Sequence, residues 1–211
     1  MKHLLIIGAR GWGREVYDIA MACIKTGADF DIKGFLDDKA DALAEYDNYP
    51  TIIGPVESYE IEKDDVFVCA LGDVNYKEKY AQIIEEKGGK FISLVHPTAV
   101  IGTNAKIGKG CVVGAYANLS NDTTIGDFVT MSLRSGIGHD TTIGDYSHIG
   151  GHCAISGFVT IGKYVTIHPG CVMVPHRKIG DNAIIGTGSV VLGNVKNNTT
   201  VFGNPAKKIE L

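Results

Sequence analysis

An aliphatic residue recurs at every sixth position through the second half of the chain. The series starts at Ile101 and runs without a break to Val191, so it has sixteen members. They are Ile101, Ile107, Val113, Leu119, Ile125, Met131, Ile137, Ile143, Ile149, Ile155, Ile161, Ile167, Met173, Ile179, Ile185 and Val191. The residue two places before each member is alanine, serine, threonine, cysteine or valine, with Arg177 as the exception. A period of six fits neither an α-helix of about 3.6 residues per turn nor one long strand.

The period of six predicts a coil of short strands joined by tight turns. Side chains alternate along a strand, so each aliphatic residue and the small residue two places earlier point into the same interior. Three hexads close one triangular coil, and successive coils stack at the strand spacing of about 4.8 Å. Of the 27 glycines, 18 follow residue 100, which separates this half from the first in composition. The sequence therefore predicts an all-β helical domain over residues 97–211.

Residues 1–96 have a different pattern, in which short apolar strands alternate with amphipathic helices. The predicted strands cover residues 4–7, 32–36, 66–71 and 91–95, and the predicted helices cover residues 16–24 and 76–87. Such alternation is typical of a small parallel sheet with helices packed on it. The sequence therefore predicts a Rossmann-like βαβ domain of the α/β class.

A glycine-rich turn over residues 8–13 follows the first predicted strand and precedes the first helix. Such a turn lets the backbone approach a phosphate at a helix N-terminus, and Asp37 and Asp38 end the next strand, where they can meet a ribose or a base. The spacing G-x-x-G-x-G differs from the usual dinucleotide fingerprint, and a tight turn without a ligand is the structural alternative. Fewer than 100 residues supply half of a dinucleotide site. A mononucleotide or nucleotide-sugar is therefore favoured over a nicotinamide cofactor.

Composition excludes several classes of partner. The chain has 24 acidic and 20 basic residues, a formal net charge of −4, which argues against nucleic acid. No apolar run approaches the roughly 20 residues of a membrane span, and the first residues do not form a signal peptide. The five cysteines are odd in number and never form C-x-x-C, so neither a disulfide framework nor a metal site is expected. This cysteine usage predicts a cytoplasmic protein.

Together these features resemble the hexapeptide-repeat acyltransferases, and more narrowly a group of bacterial sugar acetyltransferases. That group includes the UDP-4-amino-sugar N-acetyltransferases, the GDP-perosamine N-acetyltransferase and proteins like sialic acid O-acetyltransferase. The resemblance covers nearly the whole chain: the hexads, the turn over residues 8–13, the Asp37-Asp38 pair, Gly72, the linker at 96–97 and the closing segment 201–208. It implies that the coil is a left-handed parallel β-helix. It also implies a homotrimer that binds acetyl-coenzyme A in the cleft between neighbouring helices.

In the resembled family the N-terminal unit holds a nucleotide-sugar. Carried over to this chain, the candidate substrate-binding residues are Arg10, Gly11, Trp12, Asp37, Asp38 and Gly72. Gly11 and Trp12 would lie by the sugar nucleotide, and the two acids would face its base or ribose. Members from the bacillosamine pathway commonly have histidine at the position of Trp12. An indole stacks and donates one hydrogen bond but does not titrate, so the sugar and its nucleotide (UDP, dTDP, GDP or CMP) stay open.

Acetyl transfer from a thioester requires a base near the incoming nucleophile and donors for the developing oxyanion. The resemblance implies that His139 is the general base and that Asp140 raises its basicity. Adjacent strand residues point to opposite faces, so direct contact between these two side chains requires an irregular backbone. The resemblance also implies that coenzyme A contacts His148, Gly157, Pro169 and Thr187, the last three through backbone groups.

The resemblance predicts acetyl-CoA-dependent acetylation of the amino group of a nucleotide-linked 4-amino-4,6-dideoxy sugar, for surface glycan biosynthesis. The acetyl group would pass directly to the acceptor without an acyl-enzyme. Two alternatives stay open: O-acetylation of sialic acid or another sugar hydroxyl, and a non-catalytic scaffold that binds a nucleotide-sugar. The sequence fixes neither the acceptor sugar nor the range of acyl groups.

Overall fold

The computed structural model describes residues 1–210 and divides into two compact units, Met1–Pro97 and a second unit that begins at Thr98. The first unit contains a five-stranded parallel sheet with the strand order β3-β2-β1-β4-β5. Its elements are β1 (Lys2–Ile7), α1 (Gly11–Lys25), β2 (Phe30–Leu36), β3 (Ile52–Gly54), β4 (Asp65–Cys69), α2 (Val74–Glu86), β5 (Lys90–Phe91) and β6 (Leu94–Val95).

Two parts of the first unit differ from the expectation. The edge strand β3 was not predicted, since it has three residues that are at most half-buried and carries no clear alternation. The strand expected over residues 91–95 is two short strands, β5 and β6, because only Lys90 and Phe91 pair with β4.

The two helices form for different local reasons. Helix α1 buries Val16, Ile19, Ala20 and Cys23, whose spacing places them on one face of the helix. Helix α2 begins at an N-cap, where the side chain of Asp73 accepts hydrogen bonds from two backbone N–H groups. The amphipathic pattern therefore supplies α1, and a side-chain cap helps to define the start of α2.

A buried carboxylate stabilises the first unit at the start of β4. Asp65 accepts hydrogen bonds from the Lys33 ammonium (2.9 Å), the Tyr59 hydroxyl (2.7 Å) and the Glu62 backbone N–H (2.8 Å). Burial alone would raise the pKa of this carboxyl, but the three donors outweigh burial and lower its pKa. Asp65 therefore stays ionised in the interior.

The second unit is a parallel β-helix with three faces of short stacked strands. The first face contains β7 (Val100–Ile101), β10 (Asn118–Leu119), β13 (Gly136–Ile137), β16 (Ala154–Ile155), β19 (Val172–Met173) and β22 (Val190–Val191). The second face contains β8 (Lys106–Ile107), β11 (Thr124–Ile125), β14 (Thr142–Ile143), β17 (Thr160–Ile161) and β20 (Lys178–Ile179). The third face contains β9 (Val112–Val113), β12 (Thr130–Met131), β15 (His148–Ile149), β18 (Thr166–Ile167), β21 (Ile184–Ile185), β23 (Thr200–Phe202) and β24 (Lys207–Lys208).

The interior of the β-helix follows the period of six. From Val113 to Val191 every member of the aliphatic series is buried. Ile101 is 39% exposed because its strand β7 has a neighbour on one side only within the first face. Buried hydroxyls at the small interior positions donate to backbone carbonyls of the next coil, as Ser135 does to Gly150 at 2.6 Å. The interior is therefore apolar with its few polar groups satisfied.

The turns between faces carry residues in the left-handed backbone region. At one turn position the residues Asn104, Asp122, Asp140, Phe158 and His176 have φ between 56° and 60°. The last coil departs from the repeat, since the interior residue after Val191 is Val195, four places on. Strand β21 accordingly pairs with β23 sixteen residues later, where the earlier coils have a step of eighteen. The terminal coil is thus shorter than the others.

Candidate active site

A cavity of about 430 Å³ lies at the carboxyl ends of β1, β2 and β4 in the first unit. Its lining includes five of the predicted substrate-binding residues, which are Arg10, Trp12, Asp37, Asp38 and Gly72. The sixth, Gly11, lines an adjoining cavity of about 380 Å³ together with Arg10. Ligands of parallel sheets bind at this edge, where the loops after the strands converge.

The glycines of this region fall into two groups. Gly8 has φ +99°, and a Cβ on Gly13 would overlap the carbonyl oxygen of Gly8, so the fold itself requires both glycines. A Cβ on Gly11 or Gly72 would meet nothing within 4 Å, and neither residue has a left-handed backbone. The fold does not require glycine at these two positions, and both face a cavity.

The N-terminus of α1 lies next to both cavities and has no side-chain cap. Its N-cap residue, Arg10, makes no side-chain hydrogen bond to the helix, and the first turn has no acidic residue. The N-terminus of α2 is different, since Asp73 already accepts from its first backbone N–H groups. The first N–H groups of a helix have no partner within the helix itself, and together with the positive end of the α1 dipole they suit an anionic ligand such as a phosphate.

The two adjacent acids have different partners. Both carboxylate oxygens of Asp37 accept backbone hydrogen bonds, one from Ala9 (2.9 Å) and one from Lys39 (2.9 Å). The side chain of Asp38 accepts one hydrogen bond through Oδ2, from the Tyr80 hydroxyl at 2.7 Å. Asp37 therefore holds the glycine-rich turn in place, and Asp38 keeps its Oδ1 available to a ligand.

Tyr76 and Tyr80 were not predicted as site residues, yet both line the 430 Å³ cavity. Their rings stack on one face of α2 with centroids 6.5 Å apart. Burial, and then the hydrogen bond to Asp38, raises the pKa of Tyr80, so its hydroxyl stays protonated as a donor. Their spacing of four residues places both side chains on one face of a helix, which was a usable signal in the sequence.

His139 and Asp140 form a direct pair in the turn between β13 and β14. The distance from His139 Nδ1 to Asp140 Oδ2 is 2.8 Å. The contact is possible because Asp140 has φ 56°, which is the irregular backbone that direct contact requires. Since Nδ1 faces the carboxylate, Nε2 is the ring nitrogen left for a substrate. Both side chains are about half exposed.

The imidazole of His139 also packs against the next coil. A Cβ on Gly157 would lie 2.8 Å from both Cε1 and Nε2 of the ring. The ring of Phe158 meets it edge-on at 89°, with centroids 5.0 Å apart. Phe158 in turn stacks on His176 at 4.8 Å. Phe158 was not identified from the sequence, because its neighbours come from other coils.

The four residues predicted for coenzyme A lie at three places around the β-helix. His148 is on β15 of the third face, and Gly157 is in the turn after β16 of the first face. Pro169 and Thr187 occupy one turn position in successive coils, between the third and first faces. No group of three or more potential metal ligands occurs within residues 1–210. Over the same range, no helix has the length and apolar character needed to cross a membrane.

Two family models match the chain. The PglD N-terminal domain matches residues 3–84, and the GMPPB C-terminal domain matches residues 92–183. The UDP-N-acetylbacillosamine N-acetyltransferase of Bacillus subtilis is 28% identical over 119 residues, which is 54% of this chain. The matches span 52% of that relative and 24% of another curated relative.

Several solved structures match over essentially the whole chain. PerB from Caulobacter crescentus, in complex with CoA and GDP-perosamine, has a TM-score of 0.90 at 23% identity. The match covers 100% of this chain and 98% of the PerB chain. The acetyltransferase domain of PglB from Neisseria gonorrhoeae has a TM-score of 0.88 at 26% identity. That match covers 99% of this chain and 100% of the PglB domain. These matches confirm the predicted fold class, an α/β domain followed by a left-handed parallel β-helix. The resemblance to hexapeptide-repeat sugar acetyltransferases is likewise confirmed.

Proposed function

We propose that this chain is an acetyltransferase that moves the acetyl group of acetyl-CoA to the amino group of a nucleotide-linked 4-amino-4,6-dideoxy sugar. The observation that carries the proposal is the His139–Asp140 pair on the β-helix, in a chain whose first unit has a cavity beside an uncapped helix N-terminus. The named relatives support the choice of an amino acceptor. One is an N-acetyltransferase, and another structure holds CoA with GDP-perosamine.

In the proposed reaction the acceptor amine attacks the thioester carbon directly. His139 Nε2 takes the proton of the attacking nitrogen, and Asp140 stabilises the imidazolium that forms. A backbone N–H stabilises the tetrahedral oxyanion. The C–S bond then breaks, and the proton held by His139 passes to the leaving sulfur. An acyl-enzyme has no support, since all five cysteines are buried.

The cavity of the first unit supports nucleotide-sugar binding. The N-terminus of α1 at Gly11, which has no side-chain cap, suits the diphosphate, and Arg10 adds positive charge beside it. Asp38, held by the Tyr80 hydroxyl, is placed to accept from a ribose hydroxyl or a base N–H. Trp12 lines the same cavity, and an indole there offers a stacking surface. Asp37 would act indirectly, because backbone groups occupy its oxygens.

We further propose that the active form is a homotrimer and that the β-helix, residues 97–211, supplies the acetyl-CoA site between neighbouring copies. The residues predicted for coenzyme A, His148, Gly157, Pro169 and Thr187, are distributed around the coil, as a site shared between copies requires. The outward residues of the first face are mostly apolar: Val100, Asn118, Gly136, Ala154, Val172 and Val190. Val100 and Val172 are 61% and 43% exposed in the single chain, so association would bury apolar surface. The free thiols suit a cytoplasmic enzyme.

The test is release of the coenzyme A thiol from acetyl-CoA in the presence of UDP-, dTDP- and GDP-linked 4-amino sugars and free sialic acid. We expect turnover with one amino sugar, and His139→Ala should lower kcat by about 10²–10⁴. A matched control is His3→Ala, because His3 Nδ1 pairs with Asp31 Oδ1 at the same 2.8 Å and His3 is not among the residues that line the cavity. If sialic acid were the only acceptor that supports turnover, the proposed N-acetylation would be wrong and O-acetylation would take its place. Activity of His139→Ala within about threefold of wild type would remove His139 from the role.

A further inference from the structure

We infer that Gly157 and Phe158 are positioning residues, which hold the imidazole of His139 in its reacting orientation. The inference rests on the proposed function, in which His139 Nε2 receives a proton. It assigns to both neighbours a role that is exerted through His139, separate from the backbone contact to coenzyme A proposed for Gly157. Both come from the coil that follows His139, eighteen and nineteen residues along the chain.

Gly157 leaves the space that the imidazole occupies. A Cβ at this position would lie 2.8 Å from Cε1 and Nε2 of His139 and 3.1 Å from Cδ2, so the ring lies over the Gly157 Cα. The nearest atoms to that Cβ all belong to the ring, and the backbone of Gly157 is not left-handed. Alanine is therefore compatible with the local backbone, and the side chain that must move is His139.

Phe158 limits the ring on a second side. Its backbone N–H donates to the carbonyl of His139 at 2.9 Å, which ties the two turns together. Its ring meets the imidazole edge-on at 5.0 Å and is itself stacked on His176 with an interplanar angle of 7°. Three neighbours therefore constrain the imidazole. Asp140 holds Nδ1 at 2.8 Å, Gly157 lies against one face of the ring, and Phe158 makes the edge contact. These constraints fix where Nε2 points.

The first test is the Gly157→Ala variant in the thiol-release assay. We expect kcat to fall by about 10²-fold, since a displacement of about 1 Å of a catalytic group costs that much. The KM for acetyl-CoA should stay within about twofold, because the backbone groups of residue 157 are retained. In a His139→Ala background the same change should alter kcat by less than about twofold. Gly193→Ala is the matched control, since a Cβ there meets nothing within 4 Å.

Two results in that assay would overturn the inference. One is a Gly157→Ala enzyme with wild-type kcat. The other is a loss of the same size in the presence and in the absence of His139, which would show that Gly157 acts by another route. If the effects of Gly157→Ala and His139→Ala on kcat were fully additive, the Gly157→Ala loss would come from a general structural defect and not from a changed orientation of His139.

A second measurement does not depend on activity and so survives a failure of the proposed function. The imidazole signals of His139 are assigned in NMR spectra by their loss in His139→Ala. We expect them to shift in Gly157→Ala and in Phe158→Leu, which removes the ring current of the edge contact. Tyr164→Leu is the control, because Tyr164 also sits at a left-handed turn position and stacks on another ring, that of Tyr146. Unchanged His139 signals in both test variants would refute the inference even for an inactive protein.

Discussion

Replacing Asp65 by asparagine is expected to destabilise the first unit by about 3 kcal/mol. The carboxylate accepts three hydrogen bonds in a fully buried position, two of them from side chains. Breaking a buried ion pair costs about 3–5 kcal/mol, and each hydrogen bond to a charged group is worth about 1.5–3 kcal/mol. Asparagine keeps one acceptor oxygen, and the Lys33 side chain is 23% exposed and can regain contact with water. We therefore expect a loss at the lower end of the range of about 3–5 kcal/mol.

Trp12 makes the effect measurable in the intact protein. It is the only tryptophan and belongs to the first unit, so its fluorescence reports the unfolding of that unit in urea. With an m-value of roughly 1–1.5 kcal/mol/M for about 100 residues, the midpoint should fall by about 2–3 M. The control is Glu57→Gln, which breaks an exposed 2.9 Å pair with Lys79 and should leave the midpoint unchanged.

The pH dependence gives an independent check on Asp65. Its pKa is lowered in the folded state relative to about 3.9 in the unfolded chain. The stabilisation is therefore complete above the unfolded value and is lost as pH falls below about 4 through the folded pKa. The loss of stability that comes from protonating Asp65 should therefore be absent in the Asp65→Asn variant. A midpoint shift below about 0.3 M urea, or an unchanged acid dependence, would refute the reasoning.

Three further predictions concern the candidate site and the glycine-rich turn beside it. Asp140→Asn should lower kcat roughly tenfold in the thiol-release assay with an unchanged KM for acetyl-CoA, because the amide keeps a hydrogen bond to His139 but carries no charge; an unchanged kcat would contradict this. Gly72→Ala should unfold like wild type yet bind the nucleotide-sugar about tenfold more weakly by Trp12 fluorescence, since its new methyl group projects toward the cavity. Gly13→Ala should instead lower the urea midpoint strongly, because its Cβ would overlap a backbone carbonyl; equal stability of the two glycine variants would contradict both assignments.

Most of the β-helix could be predicted because its signal is periodic. A single rule, one aliphatic residue in six, identifies the interior from Val113 to Val191. The rule fails at Val195, where the step shortens to four and no local feature announces it. The edge strand β3 was missed for a similar reason, since three residues are too few to show a period.

The sequence supplied candidate site residues but not the contacts that they make. The family pattern pointed to His139 and Asp140, but their direct contact depends on a left-handed φ at Asp140, which aspartate tolerates without requiring. Asp37 and Asp38 are both aspartates and are adjacent in the sequence. Their different partners follow from the path of the turn and from Tyr80 on a distant helix. Such long-range contacts leave no periodic trace in the sequence.

The constant step between stacked strands limits how the length of the β-helix can change. Asn118, Gly136, Ala154, Val172 and Val190 follow one another at intervals of eighteen residues on one face. A whole coil can therefore be gained or lost without turning any interior residue outward, whereas one extra residue within a strand would invert every side chain after it unless a turn absorbed it. The shorter coil, in which β21 pairs with β23 after sixteen residues, shows that a change of two residues can be absorbed between strands. Evolution of this unit is thus expected to proceed in whole coils, with irregular lengths tolerated at turns.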